Sequence, residues 1–291
     1  MRLVKIMKKN MMEVAFILPL LIFIAYINIY PIIEGVILGF TRLGKFTLSN
    51  YHVLQTQYTP PVSVATTNLL LYVPLALFIE FALALFTALL LNRSFRGRSV
   101  FRAIIILPYG VATVVSAIAF TFVFSPTGWY ANEFIIKLGL VHTDINWTVG
   151  VLGFLSVAIA DSWKTFPLIM LILLGGLQMI PDNLYEAAAV DGASQIQQFR
   201  HITLPNLYPF IMIALIIRAV SEFNILALPL ILVGRNVVFL GTMSYSIYET
   251  FSVGSSELSA SAATILLGII LVFVIVYVYI SNRMVGDQSA E

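Results

Sequence analysis

The chain has 291 residues, of which 60% are hydrophobic and 10% are charged, and its mean hydropathy is +0.97. Globular domains have about 25% charged residues, so this chain cannot cover itself with polar surface and its outer solvent must be lipid. The net charge of +2 is too small to indicate a nucleic-acid partner. The absence of Cys excludes disulfides and Cys-bound metal.

Six stretches are apolar and long enough to cross a bilayer as helices, which takes about 20 residues each. They are 14–40, 68–91, 103–124, 149–178, 206–233 and 259–281. Strands of a membrane barrel need only about 10 residues, far fewer than these stretches contain. The sequence therefore predicts an all-α integral membrane protein, with residues 1–291 forming a single domain of six transmembrane helices.

The first stretch follows a basic N-terminus but is longer than the apolar region of a signal peptide. No small-residue cleavage site follows it, so we predict a retained membrane anchor. Within it, Gly35 and Gly39 have the spacing of small residues at close helix contacts. This spacing favours a second helix packed closely against the first span.

Positive residues are unevenly divided between the connections, and cytoplasmic connections carry the larger share. Alternate connections, starting with the N-terminus, carry ten: Arg2, Lys5, Lys8, Lys9, Arg93, Arg96, Arg98, Arg102, Arg200 and Arg283. The others carry four: Arg42, Lys45, Lys137 and Arg235. Both termini are therefore predicted to lie in the cytoplasm of a cell, with 41–67 and 125–148 outside and 179–205 inside the cell membrane.

Charged side chains within the spans need partners, because each costs about 3 kcal/mol at mid-membrane. Arg218 and Glu222 are four residues apart, and Asp161 and Lys164 three apart, so each couple is predicted to pair within its helix. Glu80 has no such partner in its own span. The pairs either neutralise themselves and stabilise helix packing, or they surround a polar cavity.

The connection 179–205 has helix signals of its own. Asp182 or Asn183 can cap the start of a short helix, and Asn183 with Glu186 has the spacing of a capping box. An alanine run favours the helix, and Gly192 is placed to end it in a left-handed turn. We therefore predict a short helix that ends at this glycine.

A second short helix is predicted to begin at a Ser194 cap and to end at Pro205. The two helices together offer a compact apolar knob formed by Leu184, Ala188, Ile196 and Phe199. One interpretation is an amphipathic hairpin that rests on the lipid interface. The other is a docking surface for a second protein.

The residues Glu186, Ala187, Ala188, Gly192, Ile202, Leu204 and Pro205 form a long pattern without gaps. It resembles the signature, known as the EAA motif, of permeases in binding-protein-dependent ABC importers. In that family the segment is the coupling helix, which docks in a groove of the ATPase subunit. The resemblance implies that these residues couple this chain to ATP hydrolysis.

Several further stretches resemble the sugar-importing branch of that family: Ser49–Tyr51, Phe101–Arg102, Leu107–Pro108, Gly175–Gln178, Ile180–Pro181 and Phe223–Asn224. The stretch from Thr242 to Phe251 is similar to the first permease subunit of maltose-type importers and their glycerol-phosphate relatives. The resemblance implies a second permease subunit, two ATPase subunits and an extracytoplasmic solute-binding protein as partners. It implies a di- or oligosaccharide, or a related polyol or glycerol phosphate, as the substrate.

Sugars suit aromatic rings against their C–H faces and amide or carboxylate groups at their hydroxyls. The candidates for a substrate path are Trp163, Lys164, Glu222, Asn224, Tyr245 and Tyr248. Asn224 is two positions after Glu222, so the two cannot share one narrow helical stripe. This spacing argues against a single compact site.

The sequence contains no nucleotide-binding loop, because Gly44-Lys45 lacks the spaced glycine before it and is followed by Phe46. ATP and Mg are therefore expected to bind the partner ATPase, and this chain is expected to need no cofactor and to be no enzyme. The alternative is an ion-coupled secondary transporter that uses Glu80 or the Arg218/Glu222 pair. A membrane-embedded enzyme is a third hypothesis, but the spans contain no catalytic constellation.

Overall fold

The computed structural model describes residues 11–127, 130–234 and 241–288, and it describes side chains for 15–127, 130–234 and 241–283. Arg2, Lys5, Lys8, Lys9 and Arg235, which enter the predicted orientation, lie outside the described residues. The first elements are α1 (Met11–Ile24), a π-helical turn (Ala25–Ile29), α2 (Tyr30–Gly39), β1 (Thr41–Arg42), β2 (Lys45–Phe46), α3 (Ser49–Thr56), α4 (Val62–Asn92), α5 (Arg98–Gly110), α6 (Thr113–Val123) and α7 (Tyr130–Lys137). They are followed by α8 (Gly150–Leu177), α9 (Asp182–Val190), α10 (Gln195–Gln198), a second π-helical turn (Phe199–Thr203), α11 (Leu204–Phe223), α12 (Ala227–Leu232), α13 (Met243–Ser252) and α14 (Ser256–Gln288).

Five helical stretches of the described chain are long and apolar enough to span a membrane: Ala15–Gly39, Val62–Asn92, Gly150–Leu177, Gln195–Phe223 and Ser256–Arg283. Helices α5 and α6 pass the same test together but meet at an angle of 97°. Val111 and Ala112 are extended between them. The third predicted span is therefore a bent pair of helices, and it makes six spans if the pair counts as one.

The predicted end of the second short helix at Pro205 is wrong, and so are both limits of the predicted span 206–233. The helix that begins at Gln195 continues through the π-helical turn into α11 and ends at Phe223. In that turn Leu204 N–H donates to Phe199 O. A π-turn shifts the hydrogen-bond register, and Pro205 then lies in the first turn of α11, where its missing N–H costs little.

Helix α8 is the most buried span, and it packs mainly against α4 and also against α11 and α5. Two apolar clusters surround it. One includes Ala76 of α4 and Ala160 of α8, and the other includes Ala84 of α4 and Ile169 of α8. Between the two clusters, both helices carry buried polar residues: Glu80 on α4, and Asp161 and Thr165 on α8.

Helices α2 and α14 pack closely at one of the two glycines for which the sequence predicts a close helix contact. A Cβ atom on Gly39 would lie 2.8 Å from Thr264 Oγ1 and 3.0 Å from Ala260 O. A Cβ atom on Gly35 would meet no atom within 4 Å. The close helix contact predicted for this pair is confirmed at Gly39 and is wrong for Gly35.

Candidate functional site

The first short helix of the candidate coupling segment, α9, begins one residue earlier than the predicted caps allow. Pro181 is extended (φ −66°, ψ 134°) and precedes Asp182, the first helical residue, and no side chain caps this end. The predicted capping box of Asn183 and Glu186 is therefore wrong. Glu186 is exposed and makes no hydrogen bond or ion pair with the described residues, so its carboxylate can meet a partner.

The turn between α9 and α10 forms as predicted. Gly192 has φ +79°, a left-handed conformation that favours glycine. Ala193 N–H donates to Ala188 O at 2.9 Å and Gly192 N–H donates to Ala189 O at 3.1 Å, which is the Schellman arrangement. The predicted Ser194 cap is also confirmed: its hydroxyl accepts from Gln197 N–H, and its own N–H donates to Gln197 Oε1 at 2.7 Å.

The two short helices expose apolar side chains while other residues anchor them to the membrane helices. Of the four residues predicted to form the apolar knob, Leu184 is 42% exposed and Ile196 68%, whereas Ala188 and Phe199 are half-buried. Val190, which was not predicted, is 89% exposed, so the knob consists of Leu184, Val190 and Ile196. The hydroxyls of Tyr185 and Thr203 are 2.9 Å apart, and this contact fastens α9 to the second π-helical turn. The segment therefore presents a fixed apolar knob rather than a loose loop.

The pattern residues of this segment divide between the surface and the interior. Glu186 and Ala187 are exposed, and Ala188 is partly buried. Ile202 packs against the apolar cluster around α8 and α11. Leu204 and Pro205 form the first turn of α11, and Leu204 is 38% exposed there.

A buried charge cluster connects α4, α8 and α11. Arg218 Nη2 lies 2.7 Å from Glu80 Oε1 and 3.0 Å from Asp161 Oδ2, and it also contacts Glu222 Oε1. Arg218 Nε donates to both oxygens of Glu80 at 3.2 Å. The hydroxyl of Thr165, which lies on α8, also donates a hydrogen bond to Glu80 Oε1. One guanidinium thus holds three carboxylates from three helices.

This cluster corrects two predictions and confirms one. The pair of Arg218 and Glu222 exists. Asp161 does not pair with Lys164, because Asp161 faces α11 while Lys164 Nζ lies 5.6 Å from the ring centroid of Tyr109. Glu80 is not isolated, since its partner comes from a helix far away in sequence. The expectation that each couple neutralises itself is therefore wrong.

The six candidate substrate residues do not form one site. The Trp163 ring packs against Phe120 with centroids 5.4 Å apart, Lys164 lies over Tyr109, and Glu222 belongs to the charge cluster. The Asn224 side-chain amide donates to Val220 O at 2.8 Å. Of the six, Tyr245 and Tyr248 share a location, because both belong to α13 and line the same cavity.

These two tyrosines line a cavity of about 760 Å³. The other lining residues are Thr59, Leu230, Glu249, Ser252 and Val253. Partial burial raises the pKa of the Glu249 carboxyl above its usual value. Sequence reasoning missed Glu249, although it lies one helical turn after Tyr245, and it could not detect Thr59, which comes from a distant loop.

Comparisons with known proteins agree with this architecture. Residues 80–286 match the family described as binding-protein-dependent transport system inner membrane component. The trehalose/maltose transport system permease protein MalF of Thermococcus litoralis is 34% identical over 206 residues, which are 70% of this chain and 69% of that protein. The trehalose transport system permease protein SugA of Mycobacterium tuberculosis is 30% identical over 235 residues, 79% of this chain and 73% of that protein.

Solved structures share the fold. A chain of a bacterial ABC transporter involved in the import of the acidic polysaccharide alginate has a TM-score of 0.81 and 24% identity, over 97% of this chain and 99% of that one. A chain from the same kind of transporter, in complex with an alginate pentasaccharide-bound periplasmic protein, has a TM-score of 0.83 and 23% identity over 98% of both chains.

Proposed function

The chain belongs to the family of binding-protein-dependent transport system inner membrane components, and we propose that it is a permease subunit of an ATP-driven importer for a sugar. The two relatives described above are named for trehalose and maltose or for trehalose, which supports a di- or oligosaccharide substrate. A related polyol or glycerol phosphate has the same hydroxyl-rich chemistry. An ion-coupled secondary transporter, the alternative from the sequence, has no support from these relatives.

The observation that carries the proposal is the knob on α9 and α10. Exposed apolar residues beside an unpaired carboxylate are typical of an interface that awaits a protein partner. The partner that fits is an ATPase subunit, because this sequence contains no phosphate-binding loop. ATP and Mg would therefore bind the ATPase, with two such subunits in the complete transporter and the knob on the cytoplasmic side.

The first span supports a second permease subunit as a further partner. Its apolar window contains no buried residue in this chain, and side chains such as Phe16 and Tyr26 are 81% and 70% exposed. Such a helix must be covered by lipid or by another membrane subunit. A pathway for a hydrophilic sugar needs walls on all sides, and a second permease of similar design would complete them.

The cavity at Tyr245 and Tyr248 is our candidate for the outer part of the substrate path. Two rings, a carboxylate and hydroxyl groups are suited to a sugar's C–H faces and hydroxyls. A solute-binding protein would deliver the sugar at this end of the chain. Trp163, Lys164 and Asn224 are left as candidates for deeper parts of the path, whereas Glu222 is 1% exposed within the charge cluster and has no surface for a sugar.

Reconstitution into liposomes tests this function. The chain is combined with the second permease and the ATPase subunits with which it co-purifies, and labelled trehalose or maltose is offered with the binding protein. Uptake should require ATP on the knob side and should stop when either the ATPase or the binding protein is omitted. Uptake driven by a sodium or proton gradient without ATP would contradict the proposal and favour the secondary transporter.

A further inference from the structure

The charges in the buried cluster do not balance. Glu80, Asp161 and Glu222 each offer an oxygen within 4.8 Å of the others, and Arg218 is their shared cation. All four side chains are buried: Glu80 is 0% exposed, Glu222 1%, Arg218 8% and Asp161 9%. Three ionised carboxylates and one guanidinium would leave two uncompensated negative charges inside the helix bundle, where desolvation costs several kcal/mol per ion.

Two buried polar atoms at this cluster, Glu222 Oε2 and the hydroxyl of Tyr72, form no hydrogen bond to any other described group. Tyr72 is 2% exposed, and the partner that its hydroxyl can reach is the Glu222 carboxylate. The two groups can satisfy each other in either protonation state, because the hydroxyl donates to an ionised Glu222 and accepts from a protonated one. The uncompensated charge of the cluster therefore decides between the two states.

We propose that the cluster is a proton-binding site, with the proton on Oε2 of Glu222 and donated to the hydroxyl oxygen of Tyr72. This proton forms one O–H bond on Glu222 and lowers the uncompensated charge from two to one. It keeps the hydrogen bond between Glu222 and Tyr72, with the carboxyl group now as the donor. The titratable groups that face it are Tyr72 and Glu80 on α4, Asp161 on α8 and Arg218 on α11.

A proton fits this site better than a metal ion. Nη2 of Arg218 already contacts one oxygen of each carboxylate, so it occupies the point on which three metal ligands would converge. A divalent cation would have to displace this guanidinium and would need six or more oxygen ligands. A proton needs only the free oxygen of Glu222 and one acceptor, and both are present.

The site also links proton binding to helix arrangement. Asp161 and Arg218 are the more exposed members of the cluster, at 9% and 8%, so we expect proton exchange with water on their side. Any movement that separates α11 from α4 removes Arg218 from Glu80 and changes the electrostatic field at Glu222. By linkage, such a movement must change the affinity for the proton, and the proton must bias the movement.

Infrared spectroscopy of the purified transporter, with its co-purifying subunits, tests the site directly. The wild type should have a carbonyl band of a protonated carboxyl group that persists at neutral pH and shifts in D₂O. Glu222→Gln should lose this band. The matched control is Glu257→Gln, the same chemical change on a carboxylate outside the cluster that accepts from Leu43 N–H, and it should keep the band.

A second variant keeps the test valid if Glu222→Gln fails to assemble. Tyr72→Phe removes the acceptor of the proposed hydrogen bond, so the band should move and should disappear at a lower pH than in the wild type. The proposal is overturned if the wild type has no such band at neutral pH, if Glu257→Gln abolishes it, or if Tyr72→Phe leaves it unmoved. A saturable stabilisation by Na⁺ or Mg²⁺ that Glu222→Gln removes would overturn it in favour of a metal ion.

Discussion

Arg218 Nη2 lies 2.7 Å from Oε1 of Glu80, a residue 138 positions earlier in the chain. The contact joins α11 to α4, and the same nitrogen reaches Asp161 on α8 at 3.0 Å. Removing one partner of a buried ion pair is far more harmful than removing an exposed one, because the remaining charge stays buried without compensation. We therefore expect the loss of Arg218 to disturb the packing of all three spans.

Arg218→Met should reduce stability by about 3–5 kcal/mol, observed as a lower melting temperature and a lower amount in the membrane. Lys164→Met is the matched control. It also removes a cation from a span, but the described contact of Lys164 is the Tyr109 ring, an interaction worth about 0.5–2 kcal/mol. Equal losses in the two variants would contradict the role of Arg218 as the shared counter-ion.

Gly176→Ala should destabilise the contact between α8 and α11. The added Cβ would lie 2.6 Å from the Phe210 ring and 2.9 Å from Leu207 Cδ1, and such overpacking costs about 1–3 kcal/mol. Gly175→Ala is the neighbouring control, since its Cβ would meet no atom within 4 Å and Ala favours the helix. The melting temperature should fall in the first variant and stay equal or rise in the second.

Gly192→Val should disconnect transport from ATP hydrolysis without loss of the protein. A β-branched residue at φ +79° strains the turn between α9 and α10, but no membrane span is altered. Sugar uptake and substrate-stimulated hydrolysis should fall, while abundance stays normal. Gly139→Val is the matched control, because Gly139 also has a positive φ of +71° with open space around it and lies outside the knob. A knob that merely rests on lipid would leave hydrolysis intact in both.

Glu186→Lys should weaken the association with the ATPase by reversing an exposed charge that has no partner within the described chain. Co-purification of the ATPase subunit measures this effect, and membrane abundance should not change. The control is Asp182→Lys, an exposed acidic residue at the start of the same helix, for which we expect a smaller loss. Normal uptake in Glu186→Lys would refute its role in coupling.

Tyr248→Ala should raise the KM for sugar uptake by roughly two- to tenfold, because an aromatic contact contributes about 0.5–1.5 kcal/mol. Tyr248 is 46% exposed and lines the cavity. Tyr279→Ala is the control, a more exposed tyrosine at 67% on α14, and it should leave the KM unchanged.

Asn224→Ala should also lower transport. Unchanged uptake kinetics would remove Asn224 from the path.

Single cysteines in this Cys-free chain test the predicted orientation. A membrane-impermeant thiol reagent applied to intact cells should label Gln57→Cys, in the connection predicted outside. It should not label Glu186→Cys until the cells are opened. Both positions are exposed in the structure, so access depends on the side of the membrane. Labelling of position 186 in intact cells would reverse the orientation.

The features that could be predicted from the sequence depend on neighbours along the chain. Gly192 and Ser194 were identifiable because a left-handed turn and a capping box use residues within five positions. The charge cluster could not be identified this way, since Glu80, Asp161 and Arg218 come from three helices. The prediction for Pro205 failed because proline usually ends a helix, whereas a π-helical turn placed it in the first turn of α11.

The uninterrupted helix from Gln195 to Phe223 has a mechanical consequence. At about 1.5 Å per residue, Arg218 lies roughly 35 Å along this helix from the Ser194 cap. The π-helical turn Phe199–Thr203 and Pro209 lie between the two ends, and both are features at which helices bend. Because the backbone is continuous, a change of tilt at Ile196 and the contact that joins three spans belong to one helix, and the bend between them sets how much of that tilt reaches Arg218.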